Sequence, residues 1–294
     1  MPHMATENYT IITDSCCDLP AELAQELGVK VVPLSVFVDG KQYYNYLDGS
    51  DISFEEFYTK LVSGSMATTS AVNVEEFSSI FKGELMMGTD VLYIGFSSGL
   101  SGTYNFAAQA AKFLSEQFPK RKIYTVDTLA ASMGQGLLVY LAAMEKKNGK
   151  SIEEVRDFVE ENKLKLCHWF TVDDLQQLKR GGRVSAATAL VGTMLSIKPV
   201  LHVDNEGHLI NMSKARGRGA SIKAIFNKME ETAIDPEKQI VFISHGNCEG
   251  DAQKLAAMVK EKWGCECVIS YVGPVIGAHS GQGTLALFFL GTER

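Results

Sequence analysis

Asp90-Val91-Leu92-Tyr93-Ile94-Gly95-Phe96-Ser97-Ser98-Gly99-Leu100-Ser101-Gly102-Thr103-Tyr104-Asn105-Phe106 decides how this chain is to be read. An apolar run too short for a helix feeds directly into a loop of small and hydroxylated residues. Phe106, Ala110, Phe113 and Leu114 then recur at helical spacing. The unit is strand, loop, helix, and the loop raises two chemistries. Gly95-Phe96-Ser97-Ser98-Gly99 fits the G-x-S-x-G elbow that exposes a nucleophilic serine. The same loop offers hydroxyls and unpaired backbone N–H groups to an anion.

Outward from this unit the rhythm repeats. Apolar runs at 9–12, 29–38, 90–95 and 122–126 alternate with helical patterns near 21–27, 54–62, 74–81, 103–118 and 131–147. Such alternation predicts βα units and a largely parallel sheet with helices on both faces. Ser53-Phe54-Glu55-Glu56 and Ser151-Ile152-Glu153-Glu154 read as capping boxes, the second opening the helix that carries the chain onward. Beyond it come a strand at 164–172, helices near 174–180 and 186–195, and strands at 197–203 and 208–212. The last two flank Asp204-Asn205-Glu206-Gly207 and read as a hairpin. Two further steps follow, 240–244 into a helix at 252–263, then 265–272. The hairpin breaks the βα rhythm. The expected architecture is therefore two α/β domains, residues 1–160 with a mostly parallel sheet and 161–294 with a mixed one.

The 294 residues are 46% hydrophobic and 21% charged, enough for sizeable cores. A formal charge of −7 argues against a general nucleic-acid binder, whose affinity comes mainly from neutralising phosphates. Neither a signal pattern nor a long apolar span is seen, and a cytoplasmic protein is expected. Six cysteines without a C-x-x-C pair indicate neither a disulfide framework nor a zinc finger. Cys265 and Cys267 are expected to be same-face residues of one strand, and no metal site is expected.

In open α/β sheets ligands gather where strands run into helices. Four such loops are notable: Thr13-Asp14-Ser15, Thr68-Thr69-Ser70, Ser97 to Gly102, and Gly273-Pro274-Val275-Ile276-Gly277-Ala278-His279. Hydroxyls dominate the first three, and none contains Lys or Arg. An esterase would use Ser97 as nucleophile and His279 as base, but an HGGG-type oxyanion segment is missing. A nucleotide site fails on spacing, because Met144 stands where a phosphate loop ending in Gly149-Lys150-Ser151 needs glycine. His168 in an apolar strand, His202 and His208 beside the hairpin turn, and His245 at a strand end carry less weight. What remains is an uncharged, hydroxyl-rich site for one carboxylate. Charge-assisted hydrogen bonds contribute roughly 1.5–3 kcal/mol each, and each buried methylene of an attached chain about 0.8 kcal/mol.

Thr13-Asp14-Ser15-Cys16-Cys17-Asp18-Leu19-Pro20, Ser97-Ser98-Gly99-Leu100-Ser101-Gly102-Thr103-Tyr104, Val172-Asp173-Asp174-Leu175 with Gly181-Gly182-Arg183, Lys198-Pro199-Val200-Leu201 and the Gly273–His279 block resemble, in order, the motifs of the DegV family. These are the fatty-acid-binding (FakB-type) subunits of bacterial fatty acid kinase. The resemblance spans nearly the whole chain. It implies a fatty acid in a tunnel between two α/β domains, with its carboxylate met by Ser98, by Thr68 or Thr69, and by His279, with Ser97 and Ser70 close by. It further implies no catalytic ATP site here. A separate ATP-binding subunit makes the acyl phosphate for phospholipid synthesis, and the membrane contact is at most peripheral. Arg183, Arg180, Arg216 and Arg218, with Lys179 and Lys214, form two basic groups expected to dock that subunit. One departure is Ala71-Val72, where the family commonly has Gln-Pro.

Overall fold

The computed structural model describes residues 8–184 and 196–294. The helix expected at 186–195 lies outside them. In chain order the elements are β1 (Tyr9–Asp14), α1 (Ala21–Leu27), β2 (Lys30–Val32), β3 (Ser35–Val38), β4 (Lys41–Tyr44), α2 (Phe54–Val62), β5 (Ala67–Ser70), α3 (Val74–Met86), β6 (Asp90–Gly95), α4 (Thr103–Gln117), β7 (Ile123–Asp127), α5 (Met133–Lys147) and α6 (Ile152–Asn162). There follow β8 (Leu166–Thr171), α7 (Leu175–Arg180), β9 (Ile197–Val203), β10 (Leu209–Arg216), α8 (Arg218–Thr232), β11 (Ile240–His245), α9 (Glu249–Trp263), β12 (Glu266–Tyr271), α10 (Pro274–Ser280) and β13 (Leu285–Leu290).

The first sheet, in the order β2-β1-β6-β7, is parallel throughout. Both faces of β6 are buried, so the strand reads as a continuous apolar run. Val91 and Tyr93 pack with Phe77, Phe81 and Ala110 of α3 and α4, while Leu92 and Ile94 join Leu137, Leu138 and Val155 of α5 and α6. The second sheet, β10-β9-β8-β13-β11-β12, is mixed, with β11 and β12 parallel and the other neighbours antiparallel. The architecture is two α/β domains, one parallel and one mixed.

Two local readings are corrected. The apolar run at 29–38 is two strands, because the chain turns after Val32 and β3 leaves the parallel sheet. β3 instead centres a small antiparallel sheet, β4-β3-β5, which the βα rhythm did not foretell. Thr68-Thr69-Ser70 is accordingly an edge strand and not a loop. At 53–56 the Ser53 hydroxyl accepts from the Glu56 amide without the reciprocal arm of a capping box. Complete boxes close at Ser151/Glu154 and at Asn73/Glu76. Cys265 precedes β12, which begins at Glu266, so the two cysteines do not share the strand.

α5 is the layer between the domains. It contacts β6 on one side and β8, β11 and β13 on the other, so one apolar core runs from Ile11 and Leu92 through Leu138 to Phe170, Phe242 and Phe288. Burying each such side chain contributes roughly 1.5–3 kcal/mol. Polar ties cross the same junction. The Tyr58 hydroxyl donates to the Val272 carbonyl at 2.7 Å, and the Gly273 amide donates to Asp18 Oδ1 at 3.0 Å. Arg294, held by the Leu166 and Asp204 carbonyls of its own domain at 3.1 and 3.0 Å, reaches across to the Thr128 carbonyl at 3.4 Å.

Candidate functional site

Between the domains lies a cavity of about 210 Å³. Its wall is mainly apolar, with Leu34, Phe96, Phe170, Leu209, Val275 and Phe288 among the lining residues. A second depression adjoins it, lined by Val62, Met66, Thr68, Arg180 and Gln282, all exposed. Thr69, Arg183 and His279 line both. These three therefore form the neck joining the inner cavity to the surface.

Each neck residue arrives from a different element. Thr69 sits on β5, paired with Val36 of β3. His279 ends α10, a short helix started by Pro274 and stopped by Gly281 at φ 80°. Arg183 follows the Gly181-Gly182 break after α7. Thr69 Oγ1 and His279 Nε2 are 2.8 Å apart, and His279 Nδ1 is buried with no partner. Desolvation, helped by the nearby Arg183 guanidinium, lowers the imidazole to about 4. It is neutral near pH 7 and keeps one ring N–H to donate. Gly181 packs so tightly that a Cβ there would collide with Nδ1.

Arg183 donates from Nε to the Leu100 carbonyl at 3.3 Å and from its terminus to the Gly181 carbonyl. Its guanidinium is thereby pinned over the serine loop. The expectation of an uncharged site is corrected: Arg183, assigned from sequence to docking alone, brings a cation to the neck. The loops themselves lack one, and only the chain path after α7 supplies it.

The serine loop divides its labour. Ser97 is fully buried, and its hydroxyl donates to the Gly207 carbonyl of the hairpin turn at 2.9 Å. The Ser98 amide donates to Asp127 Oδ1 at 3.2 Å. Neither serine lines the cavity. Ser101 does, and its hydroxyl also accepts the Thr103 amide at the start of α4, at 3.2 Å. Ser70 and Ala71 line the cavity while Val72 is buried, so the departure from Gln-Pro falls on the cavity wall. Ser97 and His279 are not hydrogen-bonded to one another.

The first loop is scaffold. Thr13 donates to the Ile94 carbonyl, and Asp14 Oδ2 accepts from the Tyr93 hydroxyl at 2.7 Å and the Phe96 amide at 3.0 Å. Asp18 is likewise buried, between the Gly273 amide and the Ser132 hydroxyl, and burial raises its carboxyl to about 8. Of the basic residues, Arg180 and Arg216 are exposed. Arg218 is bound to Asp251 at 2.8 Å. Among the described residues no cluster of His, Cys, Asp and Glu could hold a metal ion, and no helix is long and apolar enough to cross a membrane.

An apolar cavity with a hydroxyl, a neutral imidazole and a guanidinium at its neck is thus set between the two α/β domains. The family model described as "Uncharacterised protein, DegV family" matches residues 8–292, and the chain belongs to the DegV family. A DegV domain-containing protein of Clostridium perfringens is 46% identical over 289 residues, covering 98% of this chain and 99% of the relative. The crystal structure of DegV, a fatty acid binding protein from Bacillus subtilis, superposes with a TM-score of 0.84 at 31% identity, covering 97% of this chain and 100% of that one. The Fatty Acid Kinase (Fak) B3 protein of Streptococcus pneumoniae, loaded with linoleic acid, shares the fold at 21% identity and TM-score 0.83, covering 96% and 99%.

Proposed function

We propose that this chain binds a long-chain fatty acid, tail in the inner cavity and carboxylate at the neck, and presents that carboxylate to a separate ATP-binding subunit for acyl phosphate formation in phospholipid synthesis. The neck carries the reading: Thr69, His279 and Arg183 converge where an apolar cavity meets the surface. A carboxylate there accepts from the Thr69 and Ser101 hydroxyls and from the guanidinium, while His279 Nε2–H donates to Thr69 Oγ1 and so leaves the threonine hydrogen for the acid. Ser70 stands on the inner side and Thr68 on the outer, while the Ser97 hydroxyl and the Ser98 backbone amide hold the loop in place. The tail supplies most of the affinity, at about 0.8 kcal/mol per buried methylene before ordering costs, and the head sets orientation.

A head at the neck is open to a second protein, which favours presentation over storage. The kinase reading is supported by the Streptococcus pneumoniae protein of the same fold. Arg180 and Arg183 beside the depression, with exposed Arg216, are the docking residues this reading uses, and Arg218 is held back by Asp251. The carrier is a non-catalytic, cytoplasmic protein with its domain boundary near residue 160, and six free cysteines agree with a reducing compartment. A Ser97/His279 hydrolase is disfavoured, since both groups are engaged elsewhere.

Mass spectrometry of an organic extract of protein purified from a bacterial host tests the first half. A stoichiometric long-chain fatty acid is expected. Absence of lipid together with no uptake of added fatty acid would overturn it. Adding the ATP-binding subunit and ATP should then convert the bound acid to an acyl phosphate, while a fluorophosphonate should leave Ser97 unlabelled.

A further inference from the structure

Away from the neck, the cavity wall carries polarity that an unsubstituted alkyl chain does not use. His168 of β8 is 2% exposed and lines the cavity, but not the surface depression. Side chains alternate along β8: Cys167 and Trp169 enter the core beneath α8 and α9, and Leu166 and Phe170 enter the core shared with α5. His168 takes the second face. Its ring stands edge-on to Phe288, centroids 5.5 Å apart, and against Gly134 in the first turn of α5, where a Cβ would collide with Nε2.

Neither ring nitrogen has a hydrogen-bond partner. The Leu166 carbonyl approaches the ring without reaching hydrogen-bonding geometry, and it already accepts from Arg294 Nε. Burial holds the imidazole well below its usual range, so it is neutral and offers one donor and one acceptor. Ser280 Oγ, buried in the same wall, is also unpartnered. The Ser132 and Ser244 hydroxyls, 2.9 Å apart, line it too. Buried polar groups without partners are rare in folded proteins, so a wall that keeps them points to a ligand that answers them.

We propose that the cavity takes an acyl chain bearing a hydroxyl group along its length, and that His168 is the residue that selects it. A hydroxyl both donates and accepts, which matches a neutral imidazole, whereas a methylene leaves both nitrogens orphaned. The proposal rests on the fatty-acid reading above and specifies its substrate class.

The test is competition binding of stearate against a panel of monohydroxylated stearates with the hydroxyl moved along the chain. At least one isomer should bind tenfold or more tightly than stearate. His168→Leu should bring that preference to within about twofold while stearate still binds, and His168→Gln should retain part of it. A panel in which no isomer exceeds stearate by more than twofold overturns the proposal from the wild-type protein alone, whatever becomes of the variants' folding. A preference that survives in a folded His168→Leu, judged by its thermal melt and stearate binding, overturns the role of His168. Failure of stearate itself to bind the wild-type protein removes the fatty-acid reading and this inference with it; binding of stearate without a hydroxyl preference removes only this inference.

Discussion

Thr69 and His279, 210 residues apart in sequence, meet at 2.8 Å between Oγ1 and Nε2. One comes from an edge strand and the other from the end of a short helix, and the contact leaves His279 Nδ1 unpartnered at the neck. Thr69→Val keeps the shape and removes the hydroxyl. Losing a hydrogen bond to a charged group costs roughly 1.5–3 kcal/mol, so fatty acid affinity should fall between about tenfold and a hundredfold. Calorimetric titration checks it, and the corresponding methyl ester should bind both proteins alike.

Gly181→Ala is expected to act through His279. Its Cβ would occupy the space of Nδ1, so the ring must rotate out of the neck. Carboxylate binding should weaken about as much as in His279→Ala, with the melting temperature little changed because Gly181 is half-exposed. Titration of the two variants side by side decides it, and unaltered binding in Gly181→Ala would place the ring elsewhere.

Arg183 stands at the neck, while Arg216 lies exposed on β10. Arg183→Gln should weaken fatty acid binding several-fold and flatten its salt dependence. Arg216→Glu should leave binding within about twofold and slow association with the ATP-binding subunit, since rim charges act mainly on association rate. Surface-plasmon kinetics at two salt concentrations separate the two effects.

Asp18 sets a pH dependence. Its folded value of about 8 lies above the ordinary 3.8, so the folded state holds a proton that the unfolded state releases. The contribution is fully present below pH 4 and is lost as pH rises toward 8, at up to about 1.4 kcal/mol per pH unit. Asp18→Asn keeps an acceptor for the Gly273 amide and gives Ser132 a donor. Denaturant melts should show it more stable than the wild type at pH 8, with the gap closing as pH falls to 5.

The local alternation of apolar runs and helical patterns was enough to read two α/β domains, because β6, buried on both faces, and the amphipathic helices around it declare themselves within a few residues. His279 and Thr69 were legible as candidates because small, hydroxylated and imidazole-bearing segments stood beside predicted element ends. The antiparallel β4-β3-β5 sheet was not legible, since nothing local in 29–38 says that the chain leaves one sheet for another. Nor was the division of the serine loop: whether Ser97, Ser98 or Ser101 faces the cavity depends on a hairpin turn 110 residues away, whose Gly207 carbonyl takes the Ser97 hydroxyl. Arg183 and His168 show the same limit. In sequence the charge after the Gly-Gly break reads as a docking residue alone, and a histidine in an apolar strand carries little weight. Only the docking of the two sheets about α5 brings one to the neck and seals the other, without hydrogen-bond partners, in the wall.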